Sequence, residues 1–130
     1  MIEDTSFIID VLDGDEAALD VLELIERERR PEKVAAITVL ELYEGIQRVS
    51  NPDAERQRVL SVLDSKPIVT ADHDIMKRAG ELSGQLITDG QRIDREDCVI
   101  AATALSEDEP LVTANTAHFD RVPDLDIRSY

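Results

Sequence analysis

The residues best suited to chemistry in this chain are oxygen donors set far apart. Asp4 lies near the beginning, Glu41 about a third of the way along, and Asp97 further on, with Asn115, His118 and Asp120 behind it. Gathered in one place, such carboxylates would repel one another, so they suit a site that holds a hard cation such as Mg2+ or Mn2+. A cation of that kind lowers the pKa of bound water and offsets negative charge developing on a reacting group. Zinc is not expected, because neither His73 nor His118 belongs to a spaced His/Cys set. No Ser/His/Asp or Cys/His pairing supplies a nucleophile. His118 is a candidate general base, although a lone loop histidine is more often structural or solvent-exposed.

Each acid also has a plain structural explanation. Thr38-x-x-Glu41 reads as a capping box, and Asp94-x-x-Asp97 as a weaker version of one. Asp4 is placed to cap a helix starting at Thr5. The order of elements gives these acids a common address. Met1–Asp4 precedes a helix carrying Phe7, Ile8, Val11 and Leu12, which Asp13-Gly14-Asp15 ends. Ala18, Val21, Leu22 and Ile25 mark a second helix. Val34–Ile37 reads as a buried strand, and Thr38 caps a helix with Leu42, Ile46 and Val49. Asn51-Pro52 starts another helix through Leu63. Lys66–Val69 is strand-like, a long helix follows from about Ala71 to Ile87, and Asp94 opens the next. Pro110–Thr113 and Asp126–Arg128 complete the strands.

Strands that alternate with helices and read as continuous apolar runs indicate an α/β domain whose parallel sheet is covered on both faces. Ligands of such sheets bind beyond the carboxyl ends of the strands. Asp4 ends the first strand, Glu41 lies in the first turn after the second, and Asp97 lies in the first turn of the helix leading into the strand that ends at Thr113. The small residues Ala101, Ala102 and Ala104 let that helix approach the sheet closely.

Composition limits the options. The 130 residues fit one domain, 1–130, without a linker, repeat or low-complexity stretch. The apolar runs are too short to span a bilayer, and Met1–Asp4 does not resemble a signal peptide. The lone Cys98 sits in an apolar run and reads as a small core residue, so a cytoplasmic protein is expected. There are 29 Asp+Glu against 14 Lys+Arg, a net charge of −15, and the only lysines are Lys33, Lys66 and Lys77. That balance suggests a halophilic source. Alone it argues against a polyanionic substrate, and the few aromatics (Phe7, Tyr43, Phe119, Tyr130) offer no platform for stacked bases.

The motifs outweigh that argument. Asp4-Thr5-Ser6, Glu41-Leu42-Tyr43-Glu44-Gly45, Asp97 leading into Ile100-Ala101-Ala102-Thr103-Ala104-Leu105, and Leu111-Val112-Thr113 before Asn115 and Phe119 together resemble a PIN domain. In order, spacing and length the chain is similar to the VapC toxins of toxin–antitoxin pairs. The resemblance implies a three-layer α/β/α fold with a central parallel sheet. It implies a Mg2+- or Mn2+-dependent endoribonuclease acting on RNA, a VapB-like antitoxin that inhibits it, and a homodimer. Asp4, Glu41 and Asp97 match the family's first three acids, as catalytic residues and metal ligands. Ser6, with Thr5, and Thr113 match its hydroxyl positions. The fourth acid is missing: Asn115 or His118 stands where one is common, and Asp120 is a candidate replacement. Arg92 and Arg95, just before Asp97, are candidates to contact RNA phosphates.

A PIN-like fold without catalysis, serving only as a binding subunit, is the rival reading. Asn115 and His118 favour it, while the intact trio of mutually repelling acids opposes it. A response-regulator receiver domain would need a lysine near the end, and residues 114–130 contain none. Charge yields a prediction that depends on no motif. The screening length is roughly 30 Å at 0.01 M salt and about 3 Å at 1 M, so surface repulsion should fade between them. The melting temperature should therefore rise with KCl up to molar concentration. Millimolar-scale Mg2+ should raise it further in the wild type and hardly at all in Asp4→Asn. A melting curve insensitive to KCl would remove the halophilic reading.

Overall fold

A computed structural model describes all 130 residues. The chain starts with β1 (Ile2–Glu3), α1 (Thr5–Leu12) and α2 (Glu16–Arg27), then β2 (Val34–Ala35), α3 (Ala36–Ile46) and α4 (Pro52–Leu63). It continues through β3 (Ile68–Val69), α5 (His73–Thr88), α6 (Arg95–Glu107), β4 (Leu111–Val112), α7 (Thr116–Phe119) and β5 (Ile127–Arg128). No helix is long and apolar enough to cross a membrane.

The strands pair in parallel as β1-β4-β5 and β2-β3. A parallel bridge between Ile2 and Lys33 joins the two groups, with Glu3 N–H donating to Lys33 O at 3.0 Å and Lys33 N–H to Met1 O at 2.9 Å. The spatial order is thus β3-β2-β1-β4-β5. The chain runs outward from β1 through β2 to β3, then returns to lay β4 on the other side of β1. The carboxyl ends of β1 and β4 therefore flank a topological switch point, where parallel α/β sheets place their ligands.

Alternation along the short strands divides the core. Ile2, Ala35 and Leu111 face α5 and α6, where Ile75, Ala79, Leu86 and the helix 98–104 pack. Met1 and Val112 face α1 and α2 with Phe7, Ala18 and Ile25, while Val34 meets Ile8, Leu42, Ile46 and Val59. Helices thus cover both faces of the parallel sheet, the three-layer arrangement expected. The small side chains Ala101, Ala102 and Ala104 are fully buried, so the backbone of α6 lies close to the sheet. Cys98 is a buried free thiol, as its apolar surroundings suggest.

Local chemistry sets most boundaries. Asp15, Asn51 and Asp72 each accept a backbone N–H three residues on, at Ala18, Ala54 and Ile75. Gly14 takes φ +79° in the turn between α1 and α2. Two caps differ from expectation. The second strand stops at Ala35 and α3 begins at Ala36, so Thr38 is an interior residue and the Thr38-x-x-Glu41 capping box does not form. Asp94 precedes α6 but makes no side-chain cap bond. The extra turn α7, read from sequence as loop, places Asn115 and His118 next to each other in space.

One buried charge needs compensation. Glu3 alternates away from Ile2 and is fully buried, where both of its carboxylate oxygens accept from Lys66 Nζ. Burial pushes the Glu3 carboxyl up to about 7 against the pull of Lys66, with Glu32 adding to the rise. Because the folded pKa exceeds the unfolded one, this group's contribution to stability falls as pH rises from about 4.5 to about 7. Lys66→Met should cost about 3–5 kcal/mol in urea denaturation at pH 8, and less at pH 5, where Glu3 takes up a proton. Glu3→Gln combined with Lys66→Met should recover most of that loss, since no buried charge is then left unpaired. A single variant as stable as the wild type would show the pair to be dispensable.

Candidate active site

Asp4 is the most constrained acid. It follows the last residue of β1 and caps α1, with Oδ1 accepting the Thr5 N–H at 2.8 Å. Its Oδ2 accepts from Ser6 Oγ at 2.8 Å and from Thr113 Oγ1 at 2.7 Å. Three donors from the β1–α1 turn and from the end of β4 therefore hold one nearly buried carboxylate. Thr113 is itself tied down, accepting the Asn115 N–H at 2.9 Å.

Glu41 reaches the same place from the second turn of α3. Its Oε1 accepts from Thr5 Oγ1 at 2.8 Å, and Thr5 Oγ1 also lies 3.0 Å from Thr38 Oγ1. A hydroxyl has one proton, so with Thr5 donating to the carboxylate, Thr38 serves as donor to Thr5. The fully buried Thr38 is thus part of a relay behind the acid. Its spacing to Glu41, i to i+3 on one helix face, is the signal that could have shown this. Burial raises the Glu41 carboxyl above its ordinary range, the Thr5 hydrogen bond opposes the rise, and the charges of Asp4, Asp97 and Glu96 add to it.

Asp97 enters from the first turn of α6, half-buried, and its carboxyl is likewise raised, first by burial and then by Asp4 and Asp94. Its Oδ2 lies 3.3 Å from His118 Nδ1, a contact that pulls the other way. Asn115 Nδ2 lies 3.0 Å from that same ring nitrogen. These side chains line an open pocket of about 310 Å³, with Ile9 and Asp94 at its rim. Of the residues expected from sequence, Asp4, Glu41, Asp97, Ser6 and Asn115 line it, and Thr113 supports Asp4 from beneath. Asp120 does not reach inward: it ends α7 as an exposed C-cap outside the pocket. Arg92 and Arg95 are exposed and line a neighbouring groove between α5 and α6, not the acid pocket.

The donors suit a hard cation in kind: carboxylates from three elements share one pocket, and two have carboxyls raised by burial and by their neighbours' charge. No three Asp, Glu, His or Cys side chains stand close enough to enclose an ion unaided. Water would complete the shell of any ion held there, as Mg2+ commonly requires.

Comparison with known proteins agrees with this architecture. The PIN domain family model matches residues 1–125. Ribonuclease VapC10 of Mycobacterium tuberculosis is 33% identical over 116 residues, covering 89% of this chain and 83% of the relative. Ribonuclease VapC19 of the same species is 31% identical over 125 residues, 94% of each. Among solved structures, VapBC2 from Rickettsia felis bound to a promoter DNA fragment shares the fold at TM-score 0.89 and 22% identity, covering 99% of this chain and 97% of that one. A toxin–antitoxin complex from Klebsiella pneumoniae aligns at TM-score 0.76 and 26% identity, over 95% and 93%. With a family match over nearly its whole length and relatives above 30% identity, the chain belongs to the PIN-domain family.

Proposed function

We propose that this protein is a Mg2+- or Mn2+-dependent endoribonuclease, a single nuclease domain over residues 1–130 acting as the toxin of a VapBC-type pair. The observation that carries this reading is the convergence of Asp4, Glu41 and Asp97 on one pocket at the switch point of the sheet. The names of the relatives, ribonucleases of the VapC group, support the reaction class. The toxin–antitoxin neighbours support a VapB-like antitoxin as partner. A homodimer in the cytoplasm of a salt-adapted cell completes the reading. Exposed Leu19 and Leu24 on α2 supply apolar surface for assembly, and the charge of −15 supports the salt adaptation.

Each residue has a distinct task. Asp4, held by three donors, is the fixed ligand, and Asp97 is the second. Glu41 shares the ion or accepts a proton from the attacking water at the oxygen that Thr5 does not engage. When bound, Mg2+ or Mn2+ supplies the Lewis acidity that makes water nucleophilic and offsets charge on the phosphate. Arg92 and Arg95, on the groove between α5 and α6, are the proposed contacts for RNA phosphates.

Incubated with total cellular RNA, Mg2+ and high salt, the protein should cut at few sites, and EDTA should abolish cleavage. Asp4→Asn and Asp97→Asn should each lower the rate by at least about 100-fold, the scale for losing electrostatic transition-state stabilisation. Protons compete with the cation for Glu41 and Asp97. Because both carboxyls are raised in the cation-free protein, cation binding should begin to weaken on acidification at a pH above the ordinary carboxylate range, which a Mn2+ titration against pH checks. A protein that binds its antitoxin yet cleaves no RNA would be the inactive binding subunit, the reading that Asn115 and His118 favour.

A further inference from the structure

Thr38 carries a buried hydroxyl that its own helix does not use. It is the third residue of α3, fully buried, and it caps nothing, since the N-cap of that helix is Ala35 without a side-chain bond. Helical threonines often spend their proton on the carbonyl one turn back, as Thr88 does on Gly84 O at 3.0 Å and Thr103 on Val99 O at 2.7 Å. Thr38 makes no such bond, and the residue four before it, Val34, lies in β2 rather than in a turn of helix. Its one side-chain partner is Thr5 Oγ1, 3.0 Å away. A buried hydroxyl is costly unless it is hydrogen-bonded, so this one answers to Thr5 alone.

Thr5 is where two of the acids meet. Its N–H donates to Asp4 Oδ1 and its hydroxyl to Glu41 Oε1, both at 2.8 Å. That hydroxyl has one proton and two acceptors in reach, Glu41 Oε1 and Thr38 Oγ1. The Thr38 proton settles the choice: donated to Thr5 Oγ1, it occupies a lone pair there and leaves the Thr5 proton for the carboxylate. A donor behind Thr5 also polarises its hydroxyl and strengthens the bond to Glu41.

We propose that Thr38 is a positioning residue of the acid site: it turns the Thr5 hydroxyl proton toward Glu41 Oε1 and so fixes Glu41 for its part in holding the cation. The inference rests on the metal-dependent reading above. Thr38 touches neither substrate nor ion and acts only through Thr5. With Oε1 engaged in this way, the second Glu41 oxygen is the one left open to the pocket.

Mn2+ affinity of the full chain in high salt tests this without any cleavage assay. Thr38→Val, which keeps the shape and removes the hydroxyl, should weaken Mn2+ binding about tenfold, the lower end of what losing an outer partner of a ligand commonly costs. Thr38→Ser, which restores the hydroxyl, should bind Mn2+ like the wild type, and Thr38→Ala against Thr38→Ser gives the same comparison without the valine methyl. Thr5→Val should weaken binding at least as much as Thr38→Val does. Adding Thr38→Val to Thr5→Val should then weaken it no further, because the relay is already cut. Wild-type affinity in Thr38→Val, or a Thr38→Ser variant as weak as Thr38→Val, overturns the positioning role and leaves the metal reading standing. Losses that add in the double variant make Thr38 ordinary core packing and overturn it as well. A wild type that binds no Mn2+ overturns both the inference and the metal reading.

Discussion

The hydrogen bonds around Asp4 hold the functional end of the molecule together. A carboxylate that is only 5% exposed must be satisfied by donors, and here they come from two separate parts of the chain. Thr5 and Ser6 belong to the turn that starts α1. Thr113 lies more than a hundred residues later, at the end of β4. Asp4 N–H donates to Val112 O, so backbone pairing sets the same register that the side chains require. A slip of β4 by one residue would remove the Thr113 hydroxyl and turn the next side chain to the opposite face. The strand pairing and the position of the acid are thus one constraint seen twice.

From that anchor the other acids are positioned at second hand. Thr5 links Asp4 to Glu41, since its N–H serves one carboxylate and its hydroxyl the other. Thr113 links Asp4 to Asn115, and Asn115 meets His118 beside Asp97. Three elements that repel one another through their carboxylates are therefore connected by hydroxyl, amide and imidazole groups.

How much of this was legible in the sequence depended on the range of the interaction. The parallel α/β class, the helix start at Asn51, the long helix from about Ala71, and the close approach of α6 follow from local patterns: caps, apolar runs, and the alanines at 101, 102 and 104. Asp4, Glu41, Asp97, Asn115 and His118 were also legible in the pocket, because strand ends have one address in a parallel sheet, whereas Thr5 and Ser6 rested on the family resemblance and Ile9 was not read. What escaped was decided by contacts between elements. Thr38 has the spacing of a capping residue, yet its hydroxyl faces Thr5 on another helix, and α3 starts three residues earlier than a cap at Thr38 would require. Asp120 looked like a substitute acid by position in the chain. The turn α7 spends those residues differently, burying Phe119 and leaving Asp120 on the outside.

The acid pocket also bears on the stability of the whole. Glu41 and Asp97 have raised carboxyls because ionising them in the fold is harder than in the unfolded chain, so in the cation-free protein their charges oppose folding near neutral pH. The hydroxyl relay from Thr38 through Thr5 reduces that opposition at Glu41, and the His118 contact reduces it at Asp97, but neither removes it. A cation bound to the native state does both things at once: it cancels the repulsion and adds its own binding free energy. Molar salt acts on a different part of the problem. It screens exposed carboxylates over a few ångströms, but reaches half-buried ones far less. The many surface acids and the few buried ones are therefore separate features of the sequence, since ionic strength screens the first and reaches the second far less.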